Sequence, residues 1–215
     1  MPGRIFPFDD AASDIKAVRQ LLSPTVAPID ASRALALAPV RHFCELGCGS
    51  GNHLIVRASM EPEAIFFGIE LRYKRVFRTI EKAERAGLTN VYALKTNARD
   101  VPSIFPERAL SGVYVNFPDP WEKIRARKHR LLQADFLTAL RPIIVPGGFV
   151  SFKTDHREYF ETVLELLKGR QDYRVENSSF DLHASDLVST NVRSEFEELF
   201  LSQGLPVFYC KFLAA

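Results

Sequence analysis

The sequence contains no apolar run that approaches the ~18 residues of a membrane-spanning helix, so no transmembrane segment is expected. Met1-Pro2-Gly3-Arg4 is not followed by an apolar signal core, which predicts that the chain is not secreted. Cysteine is scarce. Cys44, Cys48 and Cys210 are odd in number, and neither a Cys-x-x-Cys pair nor a Cys/His ligand set occurs. A disulfide framework is therefore not expected, no metal is expected, and a reducing, cytoplasmic compartment is the reading. His42, His53, His129, His156 and His183 are scattered without ligand spacing and read as non-catalytic. Repeats, low-complexity tracts and Gly/Ser linkers are missing too, which leaves one domain as the natural organisation.

Excess charge is also slight. A net charge of +2 does not announce nucleic acid by itself. Its distribution does more: residues 1–152 hold 21 Lys/Arg against 15 Asp/Glu, whereas residues 153–215 hold 7 against 11. A basic excess confined to one part of the chain fits a footprint better than general solubility. With 215 residues, the chain is long enough for one α/β domain with a sizeable core.

From Arg41 onward strand and helix patterns alternate. Strands are predicted at His42–Leu46, Ala64–Glu70, Val91–Lys95, Ser111–Phe117, Phe149–Lys153, Tyr173–Phe180 and Val207–Phe212. Helices are predicted at Gly51–Met60, Arg72–Ala86, Lys128–Leu140, His156–Lys168 and Ser194–Gln203, with Gly87 and Gly169 as stops. Two short helices, Ser13–Leu22 and Ala31–Leu37, are expected ahead of this region. Alternation of this kind implies α/β architecture, because parallel neighbours need crossovers. The last two strands can pair as an antiparallel edge.

Glu45-Leu46-Gly47-Cys48-Gly49-Ser50-Gly51 follows the first strand and opens a helix. Glycines there permit a tight turn and a close approach of ligand to backbone. The dinucleotide fingerprint GxGxxG would need glycine at position 52, which is Asn52, so a nicotinamide dehydrogenase is the weaker reading. The GxGxG spacing with a preceding acid resembles the first motif of the S-adenosylmethionine-dependent methyltransferases. Glu70 ends the second strand, where a carboxylate can accept from both ribose hydroxyls. Asn97-Ala98 follows the third strand; Asn97 suits an adenine edge or, more plainly, a helix cap.

Asn116-Phe117-Pro118-Asp119-Pro120-Trp121 ends the fourth strand in a stiff corner that frames one acid with two prolines. A basic arm of Lys123, Arg125, Arg127, Lys128 and Arg130 follows. Beside a base pocket such an arm reads as phosphate contact, and elsewhere as a solvated face. Trp121 reads as packing beneath the loop, and Arg72, Lys74, Arg75 and Arg78 as helix surface. Asp155 suits the N-cap of the helix after it, and Ser194 with Glu197 spells an S-x-x-E capping box.

Taken together, Glu45–Gly51, Gly68-Ile69-Glu70, Asn97-Ala98, Asn116–Trp121 with Lys123 and Arg130, Phe152-Lys153-Thr154-Asp155 and Ser194–Glu197 resemble the tRNA (guanine-N7)-methyltransferases. The resemblance implies a single-domain Rossmann-like methyltransferase fold over residues 41–215. It implies a seven-stranded, mostly parallel sheet with an antiparallel edge strand and helices on both faces. Residues 1–40 would be an N-terminal extension with short helices. It implies S-adenosylmethionine as cofactor, tRNA as partner, and a monomer or homodimer. Glu45, Gly47, Gly49, Gly51, Glu70, Asn97, Ala98 and Asp119 would then face the methyl donor. Lys123, Arg125, Arg130, Asp155, Ser194 and Glu197 would serve the RNA, and Asp119 and Asp155 the chemistry.

The chain departs from the family pattern in places. Ser194 stands where Thr is common, Asn97 where many bacterial members have Asp, and Asn52-His53 where an acidic or aromatic pair is usual. Glu198 replaces a basic residue. Two other readings stay open: a methyltransferase acting on an exocyclic base amine, and an RNA-binding protein of this fold without turnover.

Overall fold

The computed structural model describes residues 40–215. The short helices expected at Ser13–Leu22 and Ala31–Leu37, and the extension 1–40 as a unit, lie outside the described residues. The strands are β1 (His42–Leu46), β2 (Ile65–Glu70), β3 (Val91–Lys95), β4 (Leu110–Asn116), β5 (Ile144–Thr154), β6 (Tyr173–Ser179) and β7 (Phe208–Ala214). The helices are α1 (Asn52–Met60), α2 (Tyr73–Arg85), α3 (Val101–Ile104), α4 (Ala134–Leu140), α5 (Arg157–Lys168) and α6 (Glu195–Ser202).

The seven strands form one sheet in the order β3-β2-β1-β4-β5-β7-β6. Strands β1 to β5 are parallel, and β7 runs antiparallel between β5 and β6. Strand alternation sorts the core. Cys44, Leu46, Val113, Val115, Val150 and Phe152 face α3, α4 and α5, while Phe43, Phe66 and Tyr114 face α1. Near-continuous apolar strands are what a sheet covered on both sides requires. Among the described residues no helix is long and apolar enough to cross a membrane.

This order has one functional consequence. From β1 the chain steps to β2 and β3, then returns to the other side of β1 to lay down β4. The β1/β4 junction is therefore the topological switch point, where the loops at the carboxyl ends part and leave a crevice.

The predicted helix Lys128–Leu140 is corrected. A 3-10 segment, Ile124–His129, is followed by an irregular stretch, and α4 begins only at Ala134. The stretch is held by side chains instead of helical bonds. The Gln133 side-chain amide donates to the carbonyls of Arg127 and Arg130, and the Leu132 amide donates to the buried Tyr159 hydroxyl. Arg130 is drawn inward, 3% exposed. Strand β5 also starts earlier than expected, at Ile144, with Gly147 at φ 75° inside it.

Candidate active site at the β1/β4 junction

The loop after β1 is built by glycine. Gly47, Gly49 and Gly51 have φ of 76°, 57° and 81°, the left-handed region that side chains disfavour. The amides of Gly47 and Cys48 donate to the Ile69 carbonyl at 2.8 and 2.9 Å, which ties the loop to β2. Gly51 starts α1, and a Cβ there would meet Thr79 Cγ2 at 2.6 Å, whereas one at Gly47 would meet nothing within 4 Å among the described residues. We therefore expect Gly51→Ala to destabilise the fold by about 2–4 kcal/mol, left-handed strain plus overpacking, and Gly47→Ala by about 1–2. Urea midpoints check this; equal losses would contradict the packing account.

Three polar side chains join the glycine loop to the loop after β4. Asn116 Nδ2 donates to Glu45 Oε1 at 2.9 Å, across the gap between β1 and β4. His53 Nδ1 lies 3.2 Å from Glu45 Oε2, off hydrogen-bonding geometry, and its ring sits edge-on to Tyr114. All three are buried. Among the described residues, Glu45 Oε2, Asn116 Oδ1 and both His53 nitrogens lack hydrogen-bond partners. Buried polar atoms left open in this way cost free energy unless something binds them.

These residues line a crevice of about 140 Å³ with Gly47, Gly49, Arg75 and Ser194. The first turn of α6 reaches over it. Glu195 accepts from Ser50 Oγ at 2.8 Å on both oxygens and lies 3.4 Å from Lys82 Nζ. The Cys48 thiol beneath is held protonated, because burial, Glu45 and Glu70 all push it up, so it is no nucleophile.

The other expected site residues sit on the same sheet edge without lining this crevice. Glu70 ends β2, 7% exposed, and accepts from the Arg72 amide at 2.8 Å. Asn97 follows β3 and accepts from the Arg99 amide, capping the turn Ala98–Asp100 as the plainer reading held. Asp119 is exposed on its corner after β4. The loop carrying it leaves β4 through Phe117 at φ 51° and ends at Trp121 at φ 44°, two left-handed non-glycine residues of the kind that mark strained functional loops. Trp121 is not packed beneath this loop; it is 42% exposed beside His129.

Asp155 follows β5, half-buried, and is not the cap of α5; His156 is, accepting from the Tyr159 amide through Nδ1. Arg130 departs from the phosphate-contact reading. Its guanidinium donates to the Pro120 carbonyl at 2.6 Å and to both Glu158 oxygens at 3.2 and 2.6 Å, over the Tyr159 ring. It buttresses the proline corner from within. Lys123, Arg125 and Lys128 remain exposed.

Glu197 is likewise internal. The expected capping box with Ser194 forms, but the carboxylate is fully buried against Lys153 at 2.8 Å and His183 at 2.8 Å, with Asn191 donating to it as well. A buried carboxylate with this many partners positions residues 191–198 and has no free face for guanosine. Lys153, Asn116 and His53 are the residues that sequence reasoning did not assign. A lysine inside an otherwise apolar strand was the available signal for the first, since buried lysine needs a partner.

Known proteins resemble this one in sequence and in shape. The family described as "Putative methyltransferase" matches residues 40–210. A bifunctional glycosyltransferase/methyltransferase of Fusobacterium nucleatum is 37% identical over 73% of the chain, which spans about a quarter (24%) of that protein. A tRNA (guanine-N(7)-)-methyltransferase of Brevibacillus brevis is 33% identical over 76% of each chain. In shape, the 16S rRNA methyltransferase KamB matches with a TM-score of 0.64 at 12% identity, over 86% of this chain and 93% of that one. A 16S rRNA (adenine(1408)-N(1))-methyltransferase mutant from Catenulisporales acidiphilia, solved with its cosubstrate SAM, matches with a TM-score of 0.58 at 18% identity, over 100% and 96%. The structural matches establish the Rossmann-like methyltransferase fold, and the sequence matches over most of both chains establish more: this chain belongs to the family of the tRNA (guanine-N7)-methyltransferases.

Proposed function

We propose that this protein methylates N7 of a guanosine in tRNA, at position 46 of the variable loop, with S-adenosylmethionine as donor. The observation that carries the reading is the Glu45–Asn116 bond, which couples the glycine crevice to the strained loop bearing Asp119. The crevice residues fit the donor. Open backbone at Gly47 leaves room for it, and the unpartnered acceptors Glu45 Oε2 and Asn116 Oδ1 suit the donor's ammonium group. Glu70, at the end of β2, would serve the ribose hydroxyls, and Asn97 with Ala98, beyond β3, the adenine edge.

When bound, the donor supplies an electrophilic methyl group on a sulfonium, which the free lone pair of guanine N7 attacks without prior deprotonation. No general base is needed, and the residues' work is alignment. The carboxylate of Asp119 or Asp155 can accept from guanine N1–H and the exocyclic amine, leaving N7 open. The same negative charge favours the positive charge that grows on the purine. Arg130, itself held by Glu158, donates to the Pro120 carbonyl and so steadies the loop that carries Asp119. The three cysteines, all buried and free, fit a reducing cytoplasm.

Labelled donor incubated with the purified chain and unmodified tRNA tests the reading. Label must enter tRNA, and S-adenosylmethionine rather than a nicotinamide nucleotide must raise the melting temperature. Protection by the nicotinamide nucleotide alone would contradict it. On the RNA side, Lys123→Ala with Arg125→Ala is expected to weaken tRNA binding and to reduce the slope of log affinity against log salt by about 1.4–1.8. An unchanged slope would remove the arm from the footprint.

A further inference from the structure

The start of helix α2 carries exposed apolar side chains and cations, Leu71 to Lys74 and Phe77, that neither fold stability nor the donor crevice explains. Its inner side is ordinary: Val76, Thr79, Ile80 and Ala83 are buried. Its outer side alternates aromatics with cations. Tyr73 and Phe77, one turn apart, are 46% and 43% exposed, and Leu71 just ahead is 64% exposed. Lys74 and Arg78, also one turn apart, are exposed beside them, as is Arg72. The first turn has no acidic residue. Cations at this end oppose the helix macrodipole. Among the described residues Arg72, Lys74 and Arg78 make no ion pair that would offset this cost. A polyanion would offset it.

The position of this surface is as telling as its chemistry. Helix α2 follows β2 and the Lys123–Lys128 arm follows β4, with β1 and its glycine loop between them in the sheet. Arg75 and Arg78 line the crevice mouth on the β2 side. Two strand spacings, about 10 Å, separate the ends of β2 and β4. A base entering the crevice thus has a basic surface on either side for the chain that carries it.

We propose that the outer face of α2, from Leu71 to Arg78, is a second RNA-binding bank, and that the tRNA strand crosses the end of β1 from the Lys123–Lys128 arm to α2. Cations there would contact phosphates, and Tyr73 and Phe77 would stack on unpaired bases, the combination that suits single-stranded nucleic acid. This rests on the tRNA reading above and extends it to a surface across the crevice from the arm.

Two variants of the full chain separate the components. Arg72→Ala with Lys74→Ala is expected to weaken binding of a fluorescent tRNA transcript about tenfold near physiological salt and to lower the salt slope by about 1.4–1.8. Tyr73→Ala with Phe77→Ala is expected to weaken it about fivefold or more with the slope unchanged. Donor affinity, measured separately, stays at the wild-type value in both. Melting curves check that these exposed substitutions leave the fold intact. If both variants bind tRNA like wild type while wild type methylates it, the α2 bank is overturned and the tRNA reading stands. If wild type neither binds nor methylates tRNA, that reading falls and the bank with it. Equal losses for an unrelated acidic protein, with tRNA binding unaffected, would also overturn the proposal.

Discussion

Asp119→Ala is expected to lower kcat/KM for tRNA methylation by about a hundredfold or more while leaving the melting temperature within about 2 °C of wild type. The two halves of this expectation have separate physical grounds. Asp119 is exposed and makes no hydrogen bond or ion pair with the described residues, so its loss removes no interaction that holds the fold. Its position is nonetheless fixed. Pro118 and Pro120 restrict the backbone on both sides, Phe117 and Trp121 hold left-handed φ, and Arg130 grips the Pro120 carbonyl. A carboxylate held this firmly, with no partner among the described residues, suits a ligand that donates hydrogen bonds. Removing a preorganised group that stabilises developing charge costs about 10²–10³ in rate. Asp119→Asn, which keeps the shape and one acceptor, should fall between. Wild-type kcat/KM in Asp119→Ala would dismiss the residue from the mechanism, and a large fall in melting temperature would make it structural.

The largest stability effect belongs to Lys153. Lys153→Met is expected to lower the free energy of unfolding by about 3–5 kcal/mol, because it strands the buried Glu197 carboxylate without its counter-charge. The Lys153 ammonium also donates to the Val192 carbonyl at 2.8 Å and to Asn191, so the segment that lays α6 over the glycine loop loses its anchor. Adding Glu197→Leu should recover most of the loss, since an apolar pair replaces an ion pair at little net cost.

The pair also sets an acid limb. Burial would raise the Glu197 carboxyl, but Lys153, Asn191 and His183 outweigh burial and hold it below the usual range. A depressed folded pKa contributes stability that is present above the unfolded carboxylate value, near 4.3, and lost as pH falls through the folded value. Glu197→Gln should flatten that limb. Burial pulls the Lys153 ammonium below the usual lysine value, against the opposing pull of Glu197. Unfolding in urea at several pH values checks both expectations. A loss below about 1 kcal/mol in Lys153→Met would deny the pair its anchoring role.

How much of this was legible in the sequence depended on how far each signal reached. Buried parallel strands announce themselves locally, and β1 to β4 fall within two residues of their expected bounds. The glycine loop, Glu70 at a strand end and the Ser194/Glu197 capping box are short-range patterns, and each forms where it was read. What failed was decided by distant partners. Arg130 looked like part of a phosphate-contacting basic arm, yet Glu158, 28 residues on, holds its guanidinium inside. Glu197 was read as a cap and an RNA-side residue because its partner Lys153 lies 44 residues back. His53 looked idle because its neighbours Glu45 and Tyr114 meet it only once β1 and β4 are paired. His156 displaced Asp155 as cap through a side-chain geometry that residue preference alone does not reveal.

The account turns on the β1/β4 junction being the place where donor and guanosine meet. Its most direct test is to digest tRNA labelled by the purified protein and identify the modified nucleoside. The account predicts that the label sits in 7-methylguanosine, from the variable loop, and that Asn116→Ala, which severs the link to Glu45, sharply reduces it. Label recovered on an exocyclic base amine, or bound donor with no label in tRNA at all, would contradict it.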